Sequence, residues 1–206
     1  MCRGVRSRVT KKRRVANTVG SRKGKSRRLQ NEVCKLVRAM TGLDDADIKP
    51  TPMGVNGIDL QLSSAARAQF PFGVECKNKE DLSIWSEFKQ CLENADREHL
   101  IPLLVFTRNY ERCSYAAMPT DRFVDLQADQ SWAETTVTAK RISIWDLVAT
   151  LNDPHDGIPV IHLARSEKEQ YTVMRFTDLL DICKTCPPEG DGTSKEDAEE
   201  IPPSLR

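Results

Sequence analysis

Two runs of alternating apolar and polar residues, 54–62 and 72–77, constrain the fold of this chain more than any other feature. Alternation with a period of two predicts β-strands that have one buried face and one polar face. Asp59 falls on the polar face of the first run, and Glu75 and Lys77 share the polar face of the second. If the two strands form a hairpin, the two carboxylates meet, with the lysine beside them.

Helical patterns flank the two strands. Apolar residues recur at intervals of three and four over 29–40, which predicts a helix that ends near Gly42. The same rhythm over 81–97 predicts a second helix, with Ser83 as its N-cap. Glu32 lies on the first helix and Gln90 on the flank of the apolar stripe of the second, so each helix offers one further polar candidate.

The remaining sequence continues the alternation of strands and helices. We expect strands at 101–107 and 113–118, a short helix at 120–126, a helix at 144–151, a hairpin of 160–164 with 170–175, and a final helical segment at 178–183. The order is typical of a mixed α/β fold with an appended C-terminal hairpin and helix.

A weak repeat with an offset of 57 residues supports this pattern. The matching positions are Ile101-Pro102 with Ile158-Pro159, Arg108 with Arg165, and Thr120-Asp121 with Thr177-Asp178. Two interpretations stay open, namely a true duplication and a hairpin and helix that recur because they pack well.

The formal net charge of +1 hides a strong asymmetry along the chain. Residues 1–28 contain twelve Lys or Arg and no acid, whereas residues 187–206 contain six acids. These compositions predict a basic disordered arm at 1–26 and an acidic disordered tail at 187–206. Between them we expect one domain, with its core at 27–126 and a C-terminal extension at 127–186.

The basic arm favours a nucleic-acid partner, because clustered cations bind the phosphate backbone in a salt-dependent manner. A solubility or processing tail is the alternative interpretation. The candidate DNA contacts are Lys11, Lys12, Arg13, Arg14, Arg22, Lys23, Lys25, Arg27, Arg28 and, beyond the arm, Lys79.

No apolar run approaches the roughly 20 residues that a membrane-spanning helix needs, so we expect no membrane partner. The seven cysteines are odd in number and scattered, which favours a reducing cytoplasm over a secreted disulfide framework. Organellar or nuclear targeting by the basic N-terminus remains an open alternative.

The order of a helix with a glutamate, Gly57-Ile58-Asp59, Glu75-Cys76-Lys77 and a second helix resembles the PD-(D/E)xK nuclease superfamily. Within it, the segment 23–28 followed by Gln30-Asn31-Glu32 is similar to the start of archaeal and phage Holliday junction resolvases. The resemblance covers residues 22–126, and Gly57-Ile58 stands where the proline of the motif would be. It implies a restriction-endonuclease-like fold, a mixed central sheet flanked by helices with an αβββαβ-type core, in a prokaryotic or phage-infected cell.

The resemblance also implies roles for individual residues. Asp59 and Glu75 would bind Mg²⁺, with Mn²⁺ as a possible substitute, and Glu32 would complete the acidic cluster. Lys77 would position or activate the attacking water, and Gln90 would be the polar residue directed at the site. The implied function is a Mg²⁺-dependent DNA endonuclease that selects branched structures, acts in recombination or repair, and works as a homodimer.

Other functions remain open. The chain could be an exonuclease or restriction-type nuclease of the same superfamily, or a nucleic-acid-binding protein that keeps the fold without catalysis. Glu75 and Lys77 could also form a plain surface ion pair, which is typically worth about 1 kcal/mol or less.

Overall fold

The computed structural model describes residues 19–126, 132–137 and 143–185. The helices are α1 (Val19–Thr41), α2 (Ser64–Gln69), α3 (Ile84–Arg97), α4 (Thr120–Val124), α5 (Ile144–Thr150) and α6 (Phe176–Thr185). The strands are β1 (Ile48–Pro50), β2 (Leu60–Leu62), β3 (Phe72–Asn78), β4 (Ile101–Thr107), β5 (Tyr115–Pro119), β6 (Trp132–Val137), β7 (Ile158–Ala164) and β8 (Gln170–Arg175).

A six-stranded mixed sheet of order β3-β4-β5-β8-β7-β6 forms the centre of the protein. The outer pairs β3–β4 and β6–β7 are parallel, and the inner pairs are antiparallel. Buried side chains of α1 and α6 pack on one face of the sheet, and those of α3 and α5 pack on the other. The predicted mixed α/β fold of the restriction-endonuclease-like type is therefore confirmed.

Most predicted elements are present, including the β4–β5 and β7–β8 hairpins. The predicted hairpin of 54–62 with 72–77 is wrong. β2 pairs with β1 instead, and α2 lies between β2 and β3. β3 takes β4 as its parallel partner, because α3 supplies the crossover that a parallel pair needs. β6 was not predicted.

The first helix is longer than its apolar pattern indicates. Residues 19–26, predicted to be part of a disordered arm, belong to α1. Lys and Arg are good helix formers, and the helix is anchored further along by Arg27, whose Nη1 donates to the Thr51 carbonyl at 2.8 Å. Residues 1–18 and 187–206, which contain the rest of the predicted arm and the acidic tail, lie outside the described residues.

The predicted C-terminal extension continues the same sheet. β5 and β8 pair antiparallel at its centre. Each half of the sheet has the same order of elements from its outer edge inward, namely strand, helix, strand, strand and helix. These elements are β3-α3-β4-β5-α4 in one half and β6-α5-β7-β8-α6 in the other. The repeat thus extends from a hairpin and helix to five elements. Among the described residues, no helix has the length and apolarity required to span a bilayer.

Candidate active site

Asp59 is held against the free edge of β3. Its backbone N–H donates to the Val74 carbonyl at 2.8 Å, and its Oδ2 accepts a hydrogen bond from the Cys76 N–H at 2.7 Å. Because Cys76 stands between Glu75 and Lys77, these two bonds place the Asp59 carboxylate beside the Glu-x-Lys segment. The predicted meeting of the two motifs occurs, although not through the predicted hairpin.

Glu75 is a buried acid, with 5 % of its surface exposed. Its Oε1 lies 2.8 Å from Lys77 Nζ, and its Oε2 accepts a hydrogen bond of 3.2 Å from Asn94 Nδ2. Asn94 also donates to the Gly57 carbonyl at 3.0 Å. A single side chain of α3 therefore links the Glu75 carboxylate to the loop that precedes Asp59.

Lys77 is surrounded by acceptors. Besides Glu75, its Nζ donates to Gln90 Oε1 at 2.9 Å and lies 3.3 Å from Glu87 Oε2. Glu87 also pairs with Lys79. Burial disfavours the charge of Lys77, but the hydrogen bonds and negative charges of Glu75 and Glu87 outweigh it and raise the pKa of the lysine above its ordinary value. The ammonium group is therefore charged at neutral pH.

Burial, together with repulsion from Glu75, raises the pKa of Asp59 to about 6. The Cys76 N–H, the charge of Lys77 and the Gln30 hydrogen bond oppose this shift without cancelling it. Two carboxylates thus share a partly desolvated region in which their charges are not fully neutralised.

On α1, Gln30 rather than Glu32 contacts Asp59. Gln30 Nε2 donates to Asp59 Oδ1 at 2.6 Å. Glu32 is exposed and lines a separate pocket. Residues two apart on a helix point about 200° apart, so both cannot face the same carboxylate. Among the described residues, no three or more His, Cys, Asp or Glu are grouped to hold a metal ion, and a ligand role for Glu32 stays a prediction.

Three site residues, Gln30, Glu87 and Asn94, were not identified from the sequence. On α3, polar residues recur at intervals of three and four, at Glu87, Gln90 and Asn94. This helical spacing puts them on one face of the helix, and it is the signal from which Glu87 and Asn94 could have been identified. Gln30 precedes the buried residues Val33 and Cys34 by three and four positions, and this phase places it on the inward face of α1.

The proposed DNA contacts are distributed unevenly. Lys23, Lys25, Arg27 and Arg28 lie on α1, and Lys79 is held by Glu87 next to Lys77. The backbone of Arg22 also belongs to α1. The segment Lys11 to Arg14 lies outside the described residues.

Comparison with known proteins identifies one family model, described as phage putative PDDEXK endonuclease, which matches residues 11–155. No curated protein and no solved structure matches the chain. The matched region covers more than half of the 206 residues and contains Asp59, Glu75 and Lys77. The chain therefore belongs to the family of phage putative PDDEXK endonucleases.

Proposed function

We propose that the protein is a Mg²⁺-dependent DNA endonuclease with Asp59, Glu75 and Lys77 at its centre. The observation that carries this proposal is the hydrogen bond from the Cys76 N–H to Asp59 Oδ2. It joins two motifs that are distant in sequence, so that two carboxylates and an ammonium group lie at one edge of the sheet.

The donor set fits Mg²⁺, which prefers hard oxygen ligands and is commonly bound by one or two carboxylates. The hydrogen bonds to Asp59 and Glu75 leave further lone pairs on their oxygens, because each carboxylate oxygen has about two acceptor positions. A bound Mg²⁺ would neutralise charge on the phosphate and lower the pKa of its water. Mn²⁺ has the same ligand preference and would substitute.

Lys77 is suited to a positioning role. Its contacts with Glu75, Glu87 and Gln90 fix the Nζ atom in place. A charged ammonium group donates hydrogen bonds but accepts no proton. Lys77 would therefore orient the attacking water and stabilise negative charge that develops on the phosphate, rather than act as the base.

DNA is the proposed substrate because the family is described as an endonuclease and because cations cluster at the start of the chain. Preference for branched DNA and action as a homodimer are implied by the likeness to junction resolvases, and both stay predictions.

The test is a cleavage assay with the full-length chain on four-way junction, linear duplex, single-stranded and circular DNA, with Mg²⁺, Mn²⁺ or EDTA. We expect cleavage of a circular substrate, which has no ends for an exonuclease, and none in EDTA. Asp59→Asn, Glu75→Gln and Lys77→Met should each reduce the rate by about 10²-fold or more. Glu93→Gln and Lys89→Met change exposed residues of α3 and serve as matched controls.

If wild type and Asp59→Asn show equal background on every substrate, the proposal is wrong. Tight DNA binding without cleavage in the same samples would instead support the non-catalytic binding protein, and cutting confined to linear DNA would support an exonuclease.

A further inference from the structure

A polar pocket lies between α1 and the turn 108–114 that joins β4 to β5. Its lining includes Lys25, Arg28 and Glu32 of α1, Asn78 at the end of β3, and the turn itself. The α1 residues are three and four positions apart, so they form one face of the helix. Gln30, on a neighbouring face, contacts Asp59. Since Asn78 directly follows Lys77, the pocket and the catalytic centre share both a helix and a strand.

The pocket carries uncompensated positive charge. Its lining holds four cations, Lys25, Arg28, Arg108 and Arg112, against two acids, Glu32 and Glu111. Glu111 is already paired with Arg108 at 3.2 Å. In the part of the chain that the structure describes, Lys25, Arg28 and Arg112 form no ion pair. Clustered cations without acidic partners are the usual arrangement for binding phosphate.

One buried polar atom in the pocket wall also lacks a partner. The Oδ1 of Asn78 has no hydrogen bond among the described residues, although buried polar atoms in folded proteins are almost always satisfied. A side-chain amide can rotate to present either its oxygen or its NH₂ group. Asn78 is therefore an unsatisfied polar group in the pocket wall, and a turn of its amide would let it contact a polar ligand.

Contacts on both sides hold the turn in place. The guanidinium group of Arg108 stacks 4.9 Å from the centre of the Trp145 ring and pairs with Glu111. The backbone N–H of Asn109 donates to Glu80 Oε1 at 3.2 Å, and its side-chain amide bonds the same oxygen. The turn is thus braced against α5 and against the loop that follows β3.

This braced turn presents Tyr110 to solvent. Its side chain is 95 % exposed, and its backbone has a φ of 65°, a left-handed conformation that is unfavourable for residues with a side chain. Strained conformations of this kind persist where the surroundings enforce them, and they concentrate at ligand-binding sites. An exposed aromatic ring beside a cationic pocket is the arrangement by which proteins bind unpaired nucleotides, with the base on the ring and the phosphate on the cations.

We propose that this pocket and Tyr110 form a subsite for an unpaired nucleotide, in which Lys25, Arg28 and Arg112 bind the phosphate and the base stacks on Tyr110. The inference deepens the proposed function and rests on DNA being the substrate. It names the substrate class as DNA with unpaired nucleotides next to a duplex. The pocket and the candidate active site share α1 and β3, so a single DNA molecule can contact both.

The test measures binding in EDTA, so that no cleavage occurs, by fluorescence anisotropy of the full-length protein with a splayed-arm DNA and a fully paired duplex of equal length. Loss of one base–aromatic stack typically weakens binding about tenfold. We expect Tyr110→Ala to lose about this factor on the splayed-arm DNA and little on the duplex, and Tyr110→Phe, which keeps the ring, to bind as wild type. The fluorescence of a 2-aminopurine at the unpaired position should be quenched by stacking in complexes with wild type and Tyr110→Phe. This quenching should be lost with Tyr110→Ala.

The matched control is Val124→Ala, which truncates another exposed apolar side chain that does not line the pocket. Arg112→Gln should reduce the slope of log affinity against log salt by about one, as expected for one lost phosphate contact. Equal affinities of Tyr110→Ala and wild type on both DNAs, or an equal loss on both, would overturn the subsite, as would an absence of DNA binding.

The outcome separates this inference from the proposed function. If Tyr110→Ala selectively loses splayed-arm binding while wild type cuts no DNA with Mg²⁺, the subsite stands and the endonuclease proposal falls. If Asp59-dependent cleavage is found and Tyr110→Ala is indistinguishable from wild type, the endonuclease proposal stands and the subsite falls.

Discussion

Asp59 shows how a site residue can oppose the stability of its own fold. Its carboxylate is partly buried next to Glu75, and its pKa is raised to about 6 from an ordinary value of 3.8. The folded protein therefore holds the Asp59 proton more tightly than the unfolded chain does. By proton linkage, stability falls as the pH rises from about 4 to about 6, and the loss persists at higher pH.

We predict that Asp59→Asn is more stable than wild type at pH 7.5 in EDTA by about 1 to 3 kcal/mol, since one pKa unit corresponds to about 1.4 kcal/mol. The asparagine can still accept from the Cys76 N–H. Gln30 can accept from the new NH₂ group if its amide turns, at the loss of the 3.3 Å bond that its oxygen accepts from Arg27 Nη1. Urea unfolding of both proteins at pH 7.5 and pH 4 measures the effect, and the difference should disappear at pH 4. A less stable variant at pH 7.5 would contradict this account.

A metal-binding prediction belongs to the same residues. Adding Mg²⁺ at about ten times its dissociation constant should stabilise the wild-type fold by on the order of 1 kcal/mol, because the ion binds the folded site. The stabilisation should be absent in Asp59→Asn and Glu75→Gln and present in Glu93→Gln, as judged by thermal unfolding with and without Mg²⁺. Equal shifts in all four proteins would indicate binding elsewhere.

At the scale of elements, the contact of α3 with β3 aligns the polar stripe of α3 with Glu75 and Lys77. This contact depends on a glycine. A Cβ atom at Gly73 would lie 2.7 Å from the Cβ and 2.9 Å from the Cα of Ala95, closer than side-chain atoms normally approach. The absence of a side chain at Gly73 lets the helix lie near enough for Asn94 and Gln90 to reach the strand.

We therefore predict that Gly73→Ala destabilises the protein by about 1 to 3 kcal/mol, the usual cost of overpacking a core contact. Gly24→Ala is the matched control, because a Cβ there meets nothing within 4 Å and the position is helical. That change should be neutral or stabilise by up to about 1 kcal/mol. Urea unfolding compares the two variants, and equal stability would show that α3 does not need the close approach.

At the scale of the whole molecule, cations continue from the N-terminal segment onto α1. Residues 1–18 contain seven Lys or Arg and no acid, and the cations of 19–28 lie on a helix that also carries Gln30. A deletion through residue 26 would remove part of that helix, so a test of the arm should end at residue 18.

Deleting residues 1–18 should weaken DNA binding and flatten its salt dependence, because each lost phosphate contact removes nearly one unit of the salt slope. We expect the unfolding free energy to stay within about 0.5 kcal/mol, because the composition of this segment predicts no packed core. Anisotropy titrations from low to high salt measure the first effect. An unchanged salt slope would exclude the arm from DNA binding.

The two outer edges of the sheet are related in topology but not in chemistry. In the first pair of strands, Glu75 of β3 lies opposite Leu104 of β4. The equivalent position at the other edge is Thr135 of β6, which lies opposite Ile161 of β7. The second edge therefore has no acid at this position. If each chain carries a single centre, a second copy would let both strands of DNA be cut in one binding event. We predict a homodimer on branched DNA, measurable by sedimentation of the complex in EDTA, whereas one chain per DNA would contradict it.

Local patterns were sufficient for much of the fold. The apolar spacing of α3, the continuous run of β4 and the two antiparallel hairpins are all visible in the sequence, because neighbouring residues determine the periodicity of helices and strands. The acid and Glu-x-Lys motifs likewise singled out Asp59, Glu75 and Lys77, which the structure brings together.

By itself, the sequence determined the element types and the candidate catalytic groups, since both depend on residue type and short spacing. Only the tertiary structure decided how those groups meet. β3 pairs across α3 with β4, β2 pairs with β1, and Asp59 reaches the edge of β3 through its bond to Cys76. Strand partners and the rotation of α1 that selects Gln30 depend on which packing buries most apolar surface across the whole chain.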